Sequence, residues 1–271
     1  MTRWICRACA MQYPESDEPP AACAVCDDER QYVPPEGQHW TTLDELKMLH
    51  RAEIRELEPG LVGIGMEPSF AIGQRALHVR GDGVNVLWDC IPLLDDEIVA
   101  QVEDLGGIDL IAISHCHYYS TMVEWADAFD ARILVHADDR RWVLRPDPRV
   151  ELWEEEVREL APGLTLLRCG GHFPGGQVLH WAAGAEGRGA LLSGDIVQAI
   201  PDRRFVSFMW SYPNLIPLPA REIRRITGAL EPYAYDRIYG AWWDRVVPID
   251  GKAAVARSAE RYLRAISDGL E

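Results

Sequence analysis

No stretch of about 18 consecutive apolar residues occurs in this 271-residue chain, so nothing in it is built to cross a bilayer as a helix. The amino terminus, MTRWICRACA, runs straight into cysteines. It lacks the apolar core behind basic residues that marks a secretory leader. Basic runs are missing as well: Arg203-Arg204 and Arg224-Arg225 are isolated pairs. Lys and Arg number 27 against 43 Asp and Glu, a formal charge of −16. Such a surface repels phosphate backbones and anionic membranes. Nucleic acid and membrane are therefore not expected as partners. A small-molecule substrate is, and association into a homo-oligomer stays open. No internal repeat or low-complexity tract is present. The seven cysteines are an odd number, and four of them form two CxxC pairs. That usage points to a metal in a reducing, cytoplasmic compartment rather than to a disulfide framework.

What is present fits an ordinary globular chain, 48% hydrophobic and 26% charged. At this size roughly 12,000 Å² of surface stays exposed and about 73% is buried on folding. The first 38 residues stand apart, rich in cysteine and proline and poor in aliphatics. They cannot build a hydrophobic core and need a staple. Cys6, Cys9, Cys23 and Cys26 follow the pattern C-x2-C, thirteen residues, C-x2-C, four thiolates suited to a tetrahedral zinc site of structural type. The segment resembles a zinc ribbon or a rubredoxin knuckle. Zinc suits it better than rubredoxin's iron, because the spacer is short and the glycines and prolines around rubredoxin cysteines are missing. The chain thus divides into a knuckle, 1–38, and one large domain, 39–271.

A linker, VPPEGQHW (33–40), leads into that domain. Thr42 and Glu45 make a capping box for a helix through about Leu57, which Pro59-Gly60 stops. Strands and helices then alternate. Residues 61–79 and 84–92 read as strands with turns, and 95–107 as an Asp-capped helix with Ile98, Val102 and Leu105 on one face. IDLIAIS (108–114) is an apolar buried strand, 120–131 a helix, and RILVH (132–136) a strand. Further strands fall at 163–169, 176–183, 189–195 and 235–243, with helices at 219–232 and 251–268.

The chemistry concentrates at strand ends. SHCHYYS (114–120) places His115 and His117 two apart in a loop, where two imidazoles converge when the loop curls. His172 follows another strand in CGGHFPGG, whose glycines let the backbone approach a crowded site. Asp195 ends the strand in LLSGD. Three histidines and an aspartate make a plausible ligand set for one divalent cation, zinc or iron.

These elements, LWDCIP, HxHxxx, GGHFPGG and SGD in that order, resemble the metallo-β-lactamase superfamily, specifically its glyoxalase II-like hydrolases. The resemblance spans about 61–250. It implies a mixed α/β fold, a four-layer αββα sandwich, with the site at one edge between two sheets. It implies His115, His117 and His172 as ligands of the first metal and Asp195 at the bridging position. Asp89 matches an aspartate that supports the site from behind the ligands. The family loop reads HxHxDH; here Tyr119 and Ser120 replace the last two. The family's late histidine is also missing, in a region that reads GAWWDRV. One metal is therefore expected rather than two.

Asp195, or Tyr119 as an oxyanion donor, is the expected catalytic group beside that metal. Ser120 is read as a supporting residue or as the N-cap of helix 120–131. The uncharged aromatic segment 205–220 is too proline-rich for a central strand. Phe208, Trp210 and Tyr212 within it, with Trp242 and Trp243, are expected to contact the apolar part of a substrate. Cys90, Cys116 and Cys169 read as core, and His136 as structural. The reading is a metal-dependent hydrolase of a small ester, thioester or lactone. Two alternatives stand beside it: a mononuclear non-haem iron oxygenase of the same fold, and a non-catalytic metal-binding protein.

Overall fold

The structure, a computed structural model, describes residues 1–267. The knuckle opens with a hairpin, β1 (Thr2–Cys6) and β2 (Gln12–Ser16), and β1 also pairs with β3 (Trp40–Thr41). The small sheet therefore draws its third strand from beyond residue 38. Helix α1 (Leu43–Leu49) follows, with Thr42 Oγ1 accepting from the Glu45 amide at 3.2 Å.

The expected helix ends there, not at Leu57. Residues Arg51–Glu58 form β4, paired antiparallel with β5 (Leu61–Glu67), and Pro59-Gly60 is the turn between them. β5 is almost wholly buried and needs a neighbour on its open edge, so sheet pairing overrides the local helical preference.

The chain continues through β6 (Ala76–Arg80), β7 (Asn85–Trp88), α2 (Asp96–Asp104), β8 (Leu110–Ala112), α3 (Met122–Phe129), β9 (Arg132–His136) and β10 (Val150–Trp153). Strands β4 to β10 make a seven-stranded sheet in sequential order. The run β7-β8-β9-β10 is parallel, so each link needs a crossover that covers the sheet face. α2 and α3 supply the first two, and a 3-10 turn over Ala137–Trp142 lies in the third. α2 is capped by Asp95, whose carboxylate accepts from the Ile98 amide at 2.8 Å, and it buries Ile98 and Val102.

The second sheet contains β11 (Val157–Ala161), β12 (Leu164–Arg168), β13 (Gln177–Trp181), β14 (Ala190–Gly194), β19 (Arg237–Gly240) and β20 (Val246–Val247). A short helical turn, α4 (Gly184–Gly187), joins β13 to β14. Between β14 and β19 lie two small ribbons outside both sheets. One pairs β15 (Gln198–Ala199) with β16 (Val206–Ser207); the other pairs β17 (Met209–Ser211) with β18 (Ile216–Pro217). Helix α5 (Ala220–Leu230) precedes β19. The last helix, expected over 251–268, is α6 (Gly251–Ala265), and Asp268 lies outside the described residues.

The layers follow from which faces are apolar. Leu61, Leu77, Val79 and Trp88 of the first sheet meet Leu164, Leu166, Leu179 and Leu192 of the second in one buried cluster. α5 and α6 bury Ile223, Ile226 and Val255 on the outer face of the second sheet. α2, α3 and the four cysteines share a third cluster against the first sheet. The result is an αββα sandwich with a four-cysteine knuckle packed on it. Its accessible surface is 11,732 Å², close to the roughly 12,000 Å² that the chain length implies for a fully packed molecule.

Candidate metal centre

Four strand ends converge where the two sheets meet. β7 leads to Asp89, β8 leads to His115 and His117, β12 leads to His172, and β14 leads to Asp195. The chain enters the first histidine under tight control. Asp89 takes a left-handed conformation (φ +60°), and its Oδ1 accepts the Ser114 amide at 2.7 Å. Ser114 Oγ lies 3.1 Å from His115 Nδ1. That contact leaves Nε2 of the ring to face the site. A single 3-10 turn over Cys116–Tyr118 then swings His117 round beside it, ring centroids 4.9 Å apart.

Two glycines make the convergence sterically possible. Gly171 (φ +82°) lets the 169–176 loop lie against α5, where a Cβ would sit 2.8 Å from Ile226 Cδ1. Gly194 (φ +55°) faces Ser114, and a Cβ there would come within 2.5 Å of its Oγ.

The donor atoms pair off. His115 Nε2 is 3.3 Å from Asp195 Oδ1, and His172 Nε2 is 3.3 Å from His117 Nδ1. All four donors lie within 4.8 Å of one another, and all four residues are buried. A tetrahedron with bonds of about 2.0–2.1 Å has edges of about 3.3–3.4 Å, so two opposite edges match that of a small divalent ion. His115 Nε2 and Asp195 Oδ1 make no hydrogen bond with good geometry. Orphaned buried polar atoms of this kind need a partner, and a cation supplies one to all four residues at once.

The electrostatics agree. Burial pushes all three imidazoles down, His172 to about 4 and His115 and His117 well below the ordinary value, so each is neutral at pH 7 and ready to ligate. Burial pushes Asp195 up to about 7 and Asp89 up to about 8. A buried carboxylate of that kind gains most from a neighbouring positive charge.

Above the donors lies a cavity of about 370 Å³. His117, His172, Asp195 and Tyr118 form its floor, and Ala71, Ile72, Tyr212, Pro213, Trp242, Gln31 and Tyr32 its walls. Tyr212 donates to the Asp195 carbonyl at 2.9 Å, and Trp242 Nε1 to the Ile72 carbonyl at 2.7 Å.

Several sequence-based expectations need correction. Tyr119 is not at the site. It is fully buried in the α2/α3 cluster and does not line the cavity. Tyr118 takes the place, with its hydroxyl facing the Asp195 carboxylate, because the 3-10 turn ends there and turns the next side chain inward. Ser120 does not cap α3. Thr121 occupies that position, while Ser120 is left-handed (φ +43°) with an unpaired buried hydroxyl. Phe208 is wholly buried between the second sheet and α6, edge-on to Tyr262. Trp210 borders a different cleft, with Arg168, Gly170 and Arg225. Trp243 points the other way from Trp242, lying over Gly63 and Gly65 between the guanidinium groups of Arg55 and Arg75. Of the five aromatic residues named, Tyr212 and Trp242 reach the cavity. Gln31 and Tyr32, which no sequence motif marks, reach the cavity from the knuckle.

The cysteine cluster fits its own ion. Cys6 Sγ and Cys26 Sγ are 3.6 Å apart, as are those of Cys9 and Cys23, and no disulfide forms. Zinc–sulfur bonds of about 2.3 Å give tetrahedron edges of about 3.8 Å. The Ala8 amide and Gln38 Nε2 donate to Cys6 Sγ at 3.4 and 3.0 Å, the contacts a thiolate attracts. Cys90, Cys116 and Cys169 are buried with thiols pushed up by desolvation, so they are inert core residues.

No protein-family model matches the chain. A Bacillus subtilis (strain 168) protein described as Uncharacterized protein YmaE is 47% identical over 272 residues, covering 100% of this chain and 99% of that one. Solved structures with the same fold include the DIM-1 metallo-β-lactamase exposed to ceftazidime, at a TM-score of 0.60 and 14% identity, covering 80% of this chain and 98% of that one. A B3 metallo-β-lactamase with an active-site glutamic acid aligns at 0.55 and 14%, covering 85% and 95%. A metallo-β-lactamase variant from Cronobacter sakazakii (Enterobacter sakazakii) aligns at 0.53 and 19%, covering 81% and 97%. The fold is that of the metallo-β-lactamases.

Proposed function

We propose, from the premise that this chain belongs to the family of Bacillus subtilis YmaE and has the metallo-β-lactamase fold, that it is a metal-dependent hydrolase of a small ester, thioester or lactone. The observation that carries the reading is the convergence of His115, His117, His172 and Asp195, with opposite donor pairs at 3.3 Å and orphaned atoms on the inside. A divalent ion bound there supplies a polarised carbonyl and a water whose pKa falls to about 7.

The protein's own groups do the rest. The cavity opens over His117, His172 and Asp195, so an acyl group enters on that side. Its volume of about 370 Å³ suits a small substrate. Ala71, Ile72 and Trp242 hold the apolar part and exclude water. Tyr118 turns toward the Asp195 carboxylate a hydroxyl that makes no hydrogen bond of good geometry among the described residues, and burial keeps it protonated. It is free to donate to an oxygen that becomes negative. Asp195 is positioned to accept a proton from the attacking water, because its carboxyl lies within the cavity floor.

Zinc is the proposed ion in both sites. The test is hydrolysis of a panel of small esters, thioesters and lactones by zinc-loaded protein, with His117→Ala as control. Turnover that disappears in the variant supports the reading. A zinc-loaded wild type that cleaves none of the panel, or an iron-loaded form that consumes oxygen, overturns it.

A further inference from the structure

The knuckle does more than cover the sandwich, because one of its residues reaches the metal centre. Arg30 lies four residues beyond Cys26 and is almost fully buried. Its guanidinium is gripped by Asp28 in a two-pronged ion pair, Nε to Oδ1 at 2.5 Å and Nη2 to Oδ2 at 2.7 Å. The remaining nitrogen, Nη1, donates to the carbonyl of His172 at 3.3 Å. The plane of charge sits 4.0 Å from the ring centroid of Phe173. Phe173 in turn stacks on His115 (5.2 Å, 22° between planes) and meets His117 and His172 edge-on at 4.9 and 5.0 Å. One arginine thus holds the main chain of one ligand and backs the ring against which all three imidazoles rest.

The arginine is itself fixed from both sides. Ser211 Oγ donates to the Arg30 carbonyl at 3.0 Å, and Asn214 Nδ2 donates to the carbonyls of Glu29 and Gln31, each at 3.0 Å. Toward the cysteines, the Asp27 amide bonds the Cys23 carbonyl at 3.0 Å and the Gln31 amide bonds the Asp28 carbonyl at 2.9 Å. The thiolate cluster therefore ends in a turn that aims Arg30 at the His172 loop and sets Gln31 and Tyr32 in the cavity wall.

We propose that Arg30 is a positioning residue through which the four-cysteine knuckle sets the metal affinity of the His115/His117/His172/Asp195 centre. This rests on the reading of that centre as a metal site. Partners that orient ligands in this way are worth about 10–100-fold in metal affinity. Arg30→Met removes the donors and the charge that lies over Phe173 while keeping an unbranched apolar side chain at the position. Arg30→Lys keeps the charge but cannot form the fork. Asp28→Asn leaves Arg30 in place and unfastens it.

The experiment loads the full chain with cobalt(II) and titrates it against a chromophoric chelator. Thiolate-bound cobalt shows intense charge-transfer bands; cobalt on nitrogen and oxygen donors shows only weaker ligand-field bands, so the two sites are read separately. The expected result is an unchanged thiolate site. The second site weakens about 10–100-fold in Arg30→Met, with altered ligand-field bands, and less in Arg30→Lys and Asp28→Asn. A merely structural contact would lower the melting temperature and leave those bands and that affinity alone. Wild-type affinity and bands in both Arg30→Met and Asp28→Asn overturn the proposal while leaving the metal site intact. A wild type that binds no cobalt on nitrogen and oxygen donors overturns the metal reading and this inference with it.

Discussion

Asp195→Asn separates a metal ligand from an aspartate that merely ends a strand. In the metal-free protein burial holds the Asp195 carboxyl up, from an ordinary 3.8 to about 7. The folded state therefore binds its proton more tightly than the unfolded state does. The sign follows: without metal, this group lowers stability as pH rises from about 4 to about 7, and the loss is complete above that. Each pKa unit is worth about 1.36 kcal/mol, so the full interval amounts to about 4 kcal/mol. Asparagine has the shape of the neutral acid and does not titrate. The stability of Asp195→Asn relative to wild type should thus rise between pH 4 and pH 8 by up to about 4 kcal/mol when metal is withheld. Zinc reverses the advantage of neutrality, because an anionic ligand is lost. The stabilisation gained on adding zinc should shrink by at least the roughly 10–100-fold in affinity that a supporting residue is worth, about 1.4–2.7 kcal/mol. The assay is urea unfolding at pH 5 and pH 8, an interval that samples about 2.7 kcal/mol of that change, with chelator and with zinc. The knuckle loses its ion equally in both proteins, so its contribution cancels in the difference. If Asp195→Asn is less stable than wild type with chelator at pH 8, and gains as much from zinc, then Asp195 caps a turn and the reasoning fails.

Three further outcomes follow from the side-chain positions. Tyr118→Phe should lower turnover of any cleaved ester or thioester by about 10²–10³-fold, the usual effect of losing one oxyanion donor, with metal content unchanged by elemental analysis. Tyr119→Phe, deep in the α2/α3 cluster, should leave steady-state rates as they are; the reverse pattern would show that the loop is turned the other way. Phe208→Ala should cost about 3–5 kcal/mol in denaturant unfolding without altering KM, because its ring fills the space beside Tyr262 and not the cavity.

The cysteines and the ligand set were legible in the sequence because each rests on local spacing. Two CxxC pairs can curl onto one ion within a short loop. His115 and His117 are brought together by one turn, and the glycines around His172 and before Asp195 mark where strands give way to close approach. The errors arose where a side chain's direction depends on geometry finer than spacing. Tyr118 and Tyr119 differ by one residue, and only the length of the 3-10 turn decides which faces Asp195. Trp242 and Trp243 likewise differ by one residue, just beyond β19, and face opposite ways. Residues 51–58 read as a continuation of α1, whose Thr42 cap is real, because their pairing with β5 is a tertiary fact. Gln31 and Tyr32 could not be found at all, since they reach the cavity only through the docking of the knuckle.

The proposed arrangement is one ion in each of two separate clusters. Elemental analysis per chain on wild type, Cys9→Ser and His117→Ala tests it most directly. Close to two ions are expected in wild type and close to one in each variant, with the ion that remains in His117→Ala bound to thiolates. Three ions in wild type, or a wild-type count that His117→Ala leaves unchanged, would contradict it.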